Sequence, residues 1–483
     1  MGLDKQGKAM SSPEAEQSEP RFVRRLNLTD TAFLVVGAVV GGGIFLTPGL
    51  VAGRLPSPGL LLAVWLAGGL ISLCGALSFG ELGAMFPEAG GQYVYLREAY
   101  GAGAAFLFGW GFFAFIMCGG LAALAVGFAE YFGSFVPSLA MGREIFSFSA
   151  PGFHYSLAAG QLVAVAAIVV LTLVNSRGIR TGVAVQNGMT VFRILAVAAL
   201  VVLGLFFGTK AGASNFVHPF AGAPGFPDVL KPLGLALVAV FWTYDGWYSV
   251  NCTAEEIRDP GRNIPRGLAL GVLGVTVLYV SVNLVYLLAL PIERMMGVTR
   301  IGELATAALF GAGAGKAIAA VVMISGFGCL NASILFGPRV YYAMSRDGCF
   351  FRGMGHLSRT QRVPARALWG QAAWSSVLCL SGTYQGLYEY MVFALLLFFA
   401  ATGLAVIVLR RRLPGRARPY RTWGYPIIPI IFIVICLAIF TGMLVSQPLK
   451  SAAGLALLGA GLPAYFFWRK RRAPEGGHAS EKR

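Results

Sequence analysis

The chain is 483 residues long, 57% hydrophobic and only 12% charged, with a mean hydropathy of +0.70. Soluble globular proteins carry roughly 25% charged residues, so this chain lacks the polar surface to cover a water-soluble fold, and disorder, which needs low hydrophobicity, is excluded by the same numbers. The formal charge of +17 lies in short Arg and Lys clusters between apolar runs, the pattern of membrane orientation rather than of nucleic-acid contact.

In chain order, residues 1–27 are polar and charged and read as a cytoplasmic tail. They are not a cleavable signal, because the apolar run after Arg25 is too long and no small-residue cleavage pattern follows it. A helix needs about 20 apolar residues to cross the hydrocarbon core. Twelve runs meet that need, over 28–53, 58–84, 102–132, 157–175, 185–208, 231–254, 265–290, 314–343, 366–382, 386–409, 425–446 and 450–468. Residues 469–483 form a second cytoplasmic tail. With twelve crossings, 29 of the 38 Lys and Arg fall on the side of the two termini and 8 on the other, leaving Arg193 inside the fifth run. That bias sets both ends in the cytoplasm of a multi-pass protein of the plasma (inner) membrane.

The seven cysteines show no CxxC spacing and read as small buried hydrophobes. The four histidines, His154, His218, His356 and His478, fall in loops or tails, whereas a membrane hydrolase or metalloenzyme wants His at membrane depth. A channel wants repeated polar rings, and none is visible. No metal or cofactor is implied, and the chain is not read as an enzyme.

Two runs are broken alike. The first contains Gly37-Ala-Val-Val40-Gly41-Gly42-Gly43-Ile44-Phe45-Leu-Thr47-Pro48, and the sixth Phe241-Trp242-Thr243-Tyr244-Asp245-Gly246-Trp247. Each glycine weakens a helix by about 1 kcal/mol relative to Ala, and an Asp at membrane depth costs more unless satisfied. Irregular backbone at that depth survives only where it lines a cavity or is buried in protein. Two breaks five helices apart, in runs that start on opposite sides, mark an inverted repeat of a secondary transporter.

The stretch Gly41 to Pro48 resembles the first-helix signature of amino-acid transporters in the amino acid–polyamine–organocation superfamily. Tyr244-Asp245-Gly246-Trp247, with Glu255-Glu256-Ile-Arg-Asp-Pro260-Gly-Arg-Asn263-Ile-Pro265, resembles the sixth helix and following loop of its L-type branch. Gly337 to Gly348 resembles that branch's eighth-helix end, and Arg418 to Pro426 its tenth-to-eleventh loop. The four matches run in order over most of the chain. The resemblance implies an all-α membrane protein with the LeuT fold. It has two inverted five-helix repeats (28–208 and 231–409), discontinuous helices 1 and 6, and two further helices over 425–468.

Within a substrate-binding stretch Val40 to Ile44, backbone N–H groups of Gly41, Gly42 and Gly43 suit a substrate carboxylate beside the positive end of a half-helix; a small-residue packing face is the plainer alternative. Family members often carry Ser or Ala where Gly42 stands, so Gly42 removes a hydroxyl and leaves space. Carbonyls near Phe241, Trp242 and Thr243 suit the α-ammonium, and Trp242 aligns with the family's aromatic gate. Asp245 is either an ammonium partner or a cap of the second half-helix. Trp247 reads as packing. Tyr279 matches a family tyrosine that hydrogen-bonds substrate or water, with core packing equally open. Asn331 and Ser333 either line the pocket or join helices. Glu255 and Glu256 are expected in a salt-bridge cluster with Arg258.

Arg193 either snorkels to the interface or, as the resemblance implies, places a fixed cation where sodium sits in sodium-coupled relatives. Arg does not release its proton, so a protonation role open to Lys is not open here. The expected activity is sodium-independent exchange of neutral L-amino acids by alternating access. A proton-coupled symporter or a cationic amino-acid carrier of the same fold is the alternative. Animal L-type carriers are joined to a glycoprotein heavy chain through a cysteine between helices 3 and 4. The loop Gly133 to Tyr155 has none, so a stand-alone, prokaryotic carrier is expected.

Overall fold

The computed structural model describes residue 24 and residues 26–88, 90–150, 153–177, 179–208, 211–358, 363–381 and 384–471. Nearly all of the two expected tails lies outside the described residues. In chain order the helices are α1 (Leu28–Val39), α2 (Gly43–Arg54), α3 (Pro58–Met85), α4 (Gln92–Tyr100), α5 (Ala102–Gly111) and α6 (Cys118–Phe135). Two strands, β1 (Glu144–Ala150) and β2 (Phe153–Ala158), precede α7 (Ala159–Ser176), α8 (Ile179–Phe207) and α9 (Leu230–Tyr244). Then come α10 (Pro260–Ala289), α11 (Ile292–Met295), α12 (Ile301–Phe310), α13 (Ala312–Arg346), α14 (Ala365–Ser381), α15 (Tyr384–Arg412), α16 (Ile427–Ser446), α17 (Pro448–Gly459) and α18 (Gly461–Arg471).

Each of the twelve predicted runs falls on a helix or a broken pair of helices. Among the described residues, nine helices, two of them joined through a short break, are long and apolar enough to cross a membrane, and α1 with α2 makes a tenth span bent by 50°. The helices α9 and α14 have only 15 and 17 residues. The expected all-α architecture is observed, with one short hairpin added to it. In the loop between α6 and α7, β1 and β2 pair antiparallel, with Ser147 opposite Ser156 and Phe148 opposite Tyr155. The alternation Phe146-Ser147-Phe148-Ser149 has the period of a strand.

Local chemistry sets the ends. Asn27 and Asp30 form a reciprocal capping box at the start of α1, both bonds 2.9 Å. Ser57 caps α3 with Pro58 in its first turn. The N-terminal approach is tied to the far end of the sixth span: Leu26 N–H donates to the Glu256 carbonyl at 2.9 Å, and Arg258 N–H to the Leu26 carbonyl at 2.8 Å.

Both expected breaks are present. The helix α1 stops at Val39, Val40 is extended, and the helical run resumes with α2 at Gly43. The helix α9 stops at Tyr244, Asp245 is extended, and Gly246 turns left-handed at φ +105°. A side chain at Gly246 would also meet the Ala38 carbonyl at 2.8 Å, so glycine is needed twice over there. The continuation is not an α half-helix as expected but a 3-10 helix over Trp247–Glu256, irregular at Thr253. A third irregularity escaped the sequence reading: a π-helical turn over Phe112–Met117, between α5 and α6.

The polar anchors of the bundle lie away from the breaks. Glu81, buried in α3, takes two charge-assisted bonds from Arg410 (2.8 and 2.7 Å) and one from the Thr422 N–H (2.7 Å). Glu256 pairs with Arg339 at 3.1 Å rather than with Arg258, which is exposed. Six of the seven cysteines are buried and none is in a disulfide.

Candidate functional site

The two breaks meet around a cavity of about 60 Å³, room for roughly four to six waters. Gly41 and Gly43 wall it from the first break, and Trp242, Thr243 and Asp245 from the sixth span. The π turn contributes Ile116 and Met117, α6 contributes Gly120, and α13 contributes Cys329 and Ser333. From the breaks the walls continue along Tyr248, Ser249 and Phe336. Nothing of α2 beyond Gly43, and nothing of α9 before Trp242, lines the space. The cavity therefore extends toward the end of the bundle where α1 begins.

The opposite end is closed. Thr243 Oγ1 donates to Thr47 Oγ1 at 3.0 Å, joining α9 to α2, and Tyr131 donates to the Phe45 carbonyl at 2.8 Å. Trp242 stacks on Tyr388 of α15, with ring centroids 5.7 Å apart. Further out, Glu389, 4% exposed, lies 3.6 Å from Arg54 of α2 and 3.1 Å from Lys450 of α17, and accepts from Gln385 at 2.8 Å.

The first break presents donors. Gly42 offers no side-chain cap to the first turn of α2, so N–H groups at the positive end of that helix are left without a side-chain acceptor. Close packing forces glycine here. A Cβ at Gly41 would lie 2.9 Å from Cys329 Sγ, and one at Gly43 would lie 3.1 Å from Thr243. Gly42 has open space around it, the nearest atom being 3.9 Å away. The Gly41 N–H is within hydrogen-bonding reach of the Tyr279 hydroxyl.

The sixth span presents acceptors, several of them already engaged. The Trp242 carbonyl accepts the Asp245 N–H at 3.2 Å, and the Thr243 carbonyl lies 3.1 Å from the Tyr279 hydroxyl. Their second lone pairs remain. Asp245 precedes the 3-10 segment, whose N-cap position is Gly246. Its carboxylate contacts the Gly246 N–H and the Tyr248 hydroxyl, while Oδ1 is buried without a partner.

Five of the expected site residues do not wall the cavity. Val40, Ile44 and Phe241 are buried in the surrounding core, and Gly42 lies just behind the lining. Tyr279 is fully buried and its hydroxyl donates to the Val39 carbonyl at 2.8 Å, so it braces the two breaks from behind. Asn331 accepts from Asn175 of α7 at 2.7 Å, a helix-to-helix bond, whereas Ser333 lines the cavity. Trp247 packs on Phe79 and Phe399, away from the cavity.

Arg193 does not snorkel. It is fully buried, with its guanidinium donating to the Val40 carbonyl, touching Cys329 Sγ and reaching Thr190 Oγ1 at 3.3 Å. No carboxylate among the described residues lies within 4.0 Å of it. The C-terminal end of α1 supplies the compensating negative dipole. Residues that the sequence reading missed are Ile116, Met117, Cys329, Tyr248 and Tyr388. Each is an ordinary apolar or aromatic position in its run, and only tertiary packing brings it to the breaks.

Two interrupted spans around a central cavity, in a bundle of lipid-length helices, define a multi-pass membrane transporter rather than an enzyme. The amino acid permease family model matches residues 26–462, and the chain belongs to that family, an amino-acid transporter family of the amino acid–polyamine–organocation superfamily with the LeuT fold. Among its relatives, the serine/threonine exchanger SteT of Bacillus subtilis (strain 168) is 29% identical over 456 residues, 93% of this chain and 98% of the relative. The b(0,+)-type amino acid transporter 1 of Oryctolagus cuniculus is 30% identical over 410 residues, 84% and 80% of the two chains. The large neutral amino acids transporter small subunit 2 of Mus musculus is 29% identical over 472 residues, 95% and 85%.

Proposed function

We propose that this protein exchanges small neutral L-amino acids across the plasma (inner) membrane by alternating access, without sodium. The observation that carries the reading is Arg193, a buried cation fixed against the Val40 carbonyl at the first break. A permanent charge there removes the need for a metal cation, and a guanidinium does not release its proton to drive symport. The substrate carboxylate is held at the first break, by N–H groups at Gly41 and Gly43, and its ammonium by the carbonyl end of α9 with Asp245. Trp242 closes over it. The size of the cavity and the name of the serine/threonine exchanger both favour a small side chain.

Residues 28–208 and 231–409 act as the two inverted repeats. The matching positions of their breaks and the close packing of α3 on α10, the second helix of each, support this. Twelve crossings put both termini in the cytoplasm, supported by the Lys and Arg bias. A loop from Gly133 to Tyr155 without cysteine supports a carrier with no disulfide-linked heavy chain. The second reading, a cationic amino-acid carrier, draws on Asp245, the one acidic residue lining the cavity among the described residues, with a carboxylate oxygen that has no partner.

The test is uptake of labelled L-serine into proteoliposomes in sodium-free buffer. Vesicles preloaded with unlabelled L-serine take up label, and empty vesicles do not. Equal uptake by empty vesicles under a sodium or proton gradient would sink exchange. Stronger competition by L-arginine than by L-alanine would select the cationic reading.

A further inference from the structure

Sharing no lining residue with the substrate cavity, a groove of about 750 Å³ lies where the start of α10 meets α3 and the segment before α16. Its walls are mainly apolar, from Leu77, Pro265, Ala269, Pro419 and Tyr420, and its polar rim carries Arg262, Arg266 and Asp259. Both arginines are exposed, and neither has a carboxylate within 4.0 Å among the described residues. Asp259 is the one carboxylate of the lining; it is exposed and makes no side-chain cap on α10. The rim therefore keeps a positive excess beside the positive end of a 30-residue helix.

The direction of this face is informative. Along α10, Arg262 and Arg266 are followed at helical spacing by Leu270, Leu273 and Val277, which are 55%, 44% and 68% exposed. On α3, Leu66 and Leu70 are exposed in the same way, on the same helical face as Leu77. In a membrane protein such apolar exposure faces acyl chains. The furrow thus runs from a pair of unpaired guanidinium groups straight onto lipid-facing surface. Trp423, 74% exposed, follows the lining residue Tyr420 by three positions and is of the kind that favours the headgroup region.

We infer that this groove binds an anionic phospholipid, its phosphate on Arg262 and Arg266 and one acyl chain along Leu270, Leu273 and Val277. A free anion satisfies the guanidinium groups but leaves the apolar furrow unused. A neutral lipid fills the furrow but leaves the two cations without a counter-charge. The combination selects a lipid whose headgroup carries net negative charge.

The experiment uses the full-length protein in detergent, measuring retained lipid by native mass spectrometry and the thermal midpoint. Dioleoylphosphatidylglycerol, dioleoylphosphatidylcholine and inorganic phosphate are the probes. Wild-type protein retains phosphatidylglycerol over phosphatidylcholine and is stabilised by it, and inorganic phosphate at the same concentration does neither. In the Arg262→Gln/Arg266→Gln variant, preference for phosphatidylglycerol falls about thirtyfold. Arg294→Gln/Lys316→Gln, equal in charge removed, keeps it. Equal retention of the two lipids by wild type overturns the proposal, as does stabilisation by inorganic phosphate alone. So does an unchanged preference in the Arg262→Gln/Arg266→Gln variant. Should that variant not fold, the comparison of lipids on wild-type protein still decides.

Discussion

The Tyr279 hydroxyl donates to the Val39 carbonyl at 2.8 Å, the last helical carbonyl before the first break, while lying 3.1 Å from the Thr243 carbonyl at the end of α9. One side chain on α10 thus holds together the carbonyl ends of two interrupted spans, where carbonyls lack helical partners. Tyr279→Phe keeps the packing and removes the bridge. The expected loss is about 1 kcal/mol of stability, read as a lower thermal midpoint, together with slower exchange because the two breaks no longer move as a unit. An unchanged midpoint and exchange rate would show the bridge to be idle.

Arg193 gives a second prediction. Wild-type exchange is the same in sodium and in choline buffer. Arg193→Met removes the donor from a buried Val40 carbonyl, which costs about 1–3 kcal/mol, and exchange falls at least about tenfold. Arg193→Lys keeps a cation on a shorter head and retains part of the activity, still without sodium. Uptake assays in the two buffers read all three outcomes, and a sodium requirement in wild type would refute the fixed-cation role.

The packing at Gly41 is testable as a pair. A methyl group there meets Cys329 Sγ at 2.9 Å, closer than van der Waals contact, so Gly41→Ala disturbs the break and cuts substrate binding. Removing the sulfur in Gly41→Ala/Cys329→Ala makes room and restores binding toward that of Cys329→Ala. The two substitutions couple, and a purely additive result in binding measurements would show that the contact is not the cause.

At the closed end, Glu389→Gln takes the negative charge from between Arg54 and Lys450. Lys450 is 51% exposed, so solvent screening limits the effect to about 1 kcal/mol. Amide exchange in the last turn of α2 and the first turn of α17 should speed up about fivefold. Identical protection in the variant would mean that the cluster does not restrain that end.

Glu81 makes a contrasting structural prediction. It is fully buried and fixed by Arg410, Arg418 and the Thr422 N–H. Glu81→Ala leaves those cations without a counter-charge and costs about 3 kcal/mol, read as a large fall in thermal midpoint with substrate selectivity unaltered in whatever protein survives.

Much of this arrangement is written locally in the chain. Twelve apolar runs announce themselves by length, and the breaks at Gly41 to Gly43 and at Asp245-Gly246 stand out because glycine and a carboxylate are costly at membrane depth. Arg193 stands out for the same reason. The π turn at Phe112–Met117 does not, since Phe-Phe-Ala-Phe-Ile-Met is as apolar as any α-helical run. Tyr279 was visible as a polar group in the seventh run, but its role depends on which carbonyls α10 packs against, a tertiary fact. Asp245 stands out as a costly carboxylate, but its contacts with the Gly246 N–H and the Tyr248 hydroxyl depend on the extended backbone there and the left-handed turn at Gly246. The β1–β2 hairpin shows in the sequence only as a four-residue alternation, Phe146-Ser147-Phe148-Ser149, inside a loop between two helical runs.

The central claim is that opposite ends of a zwitterion are held by the two breaks. The most direct measurement is competition against labelled L-serine in sodium-free proteoliposomes, using ethanolamine, which lacks the carboxylate, and 3-hydroxypropionate, which lacks the ammonium. The account predicts that L-serine and L-alanine displace the label and that neither truncated analogue does. Competition by either analogue at the concentration effective for L-serine would contradict it.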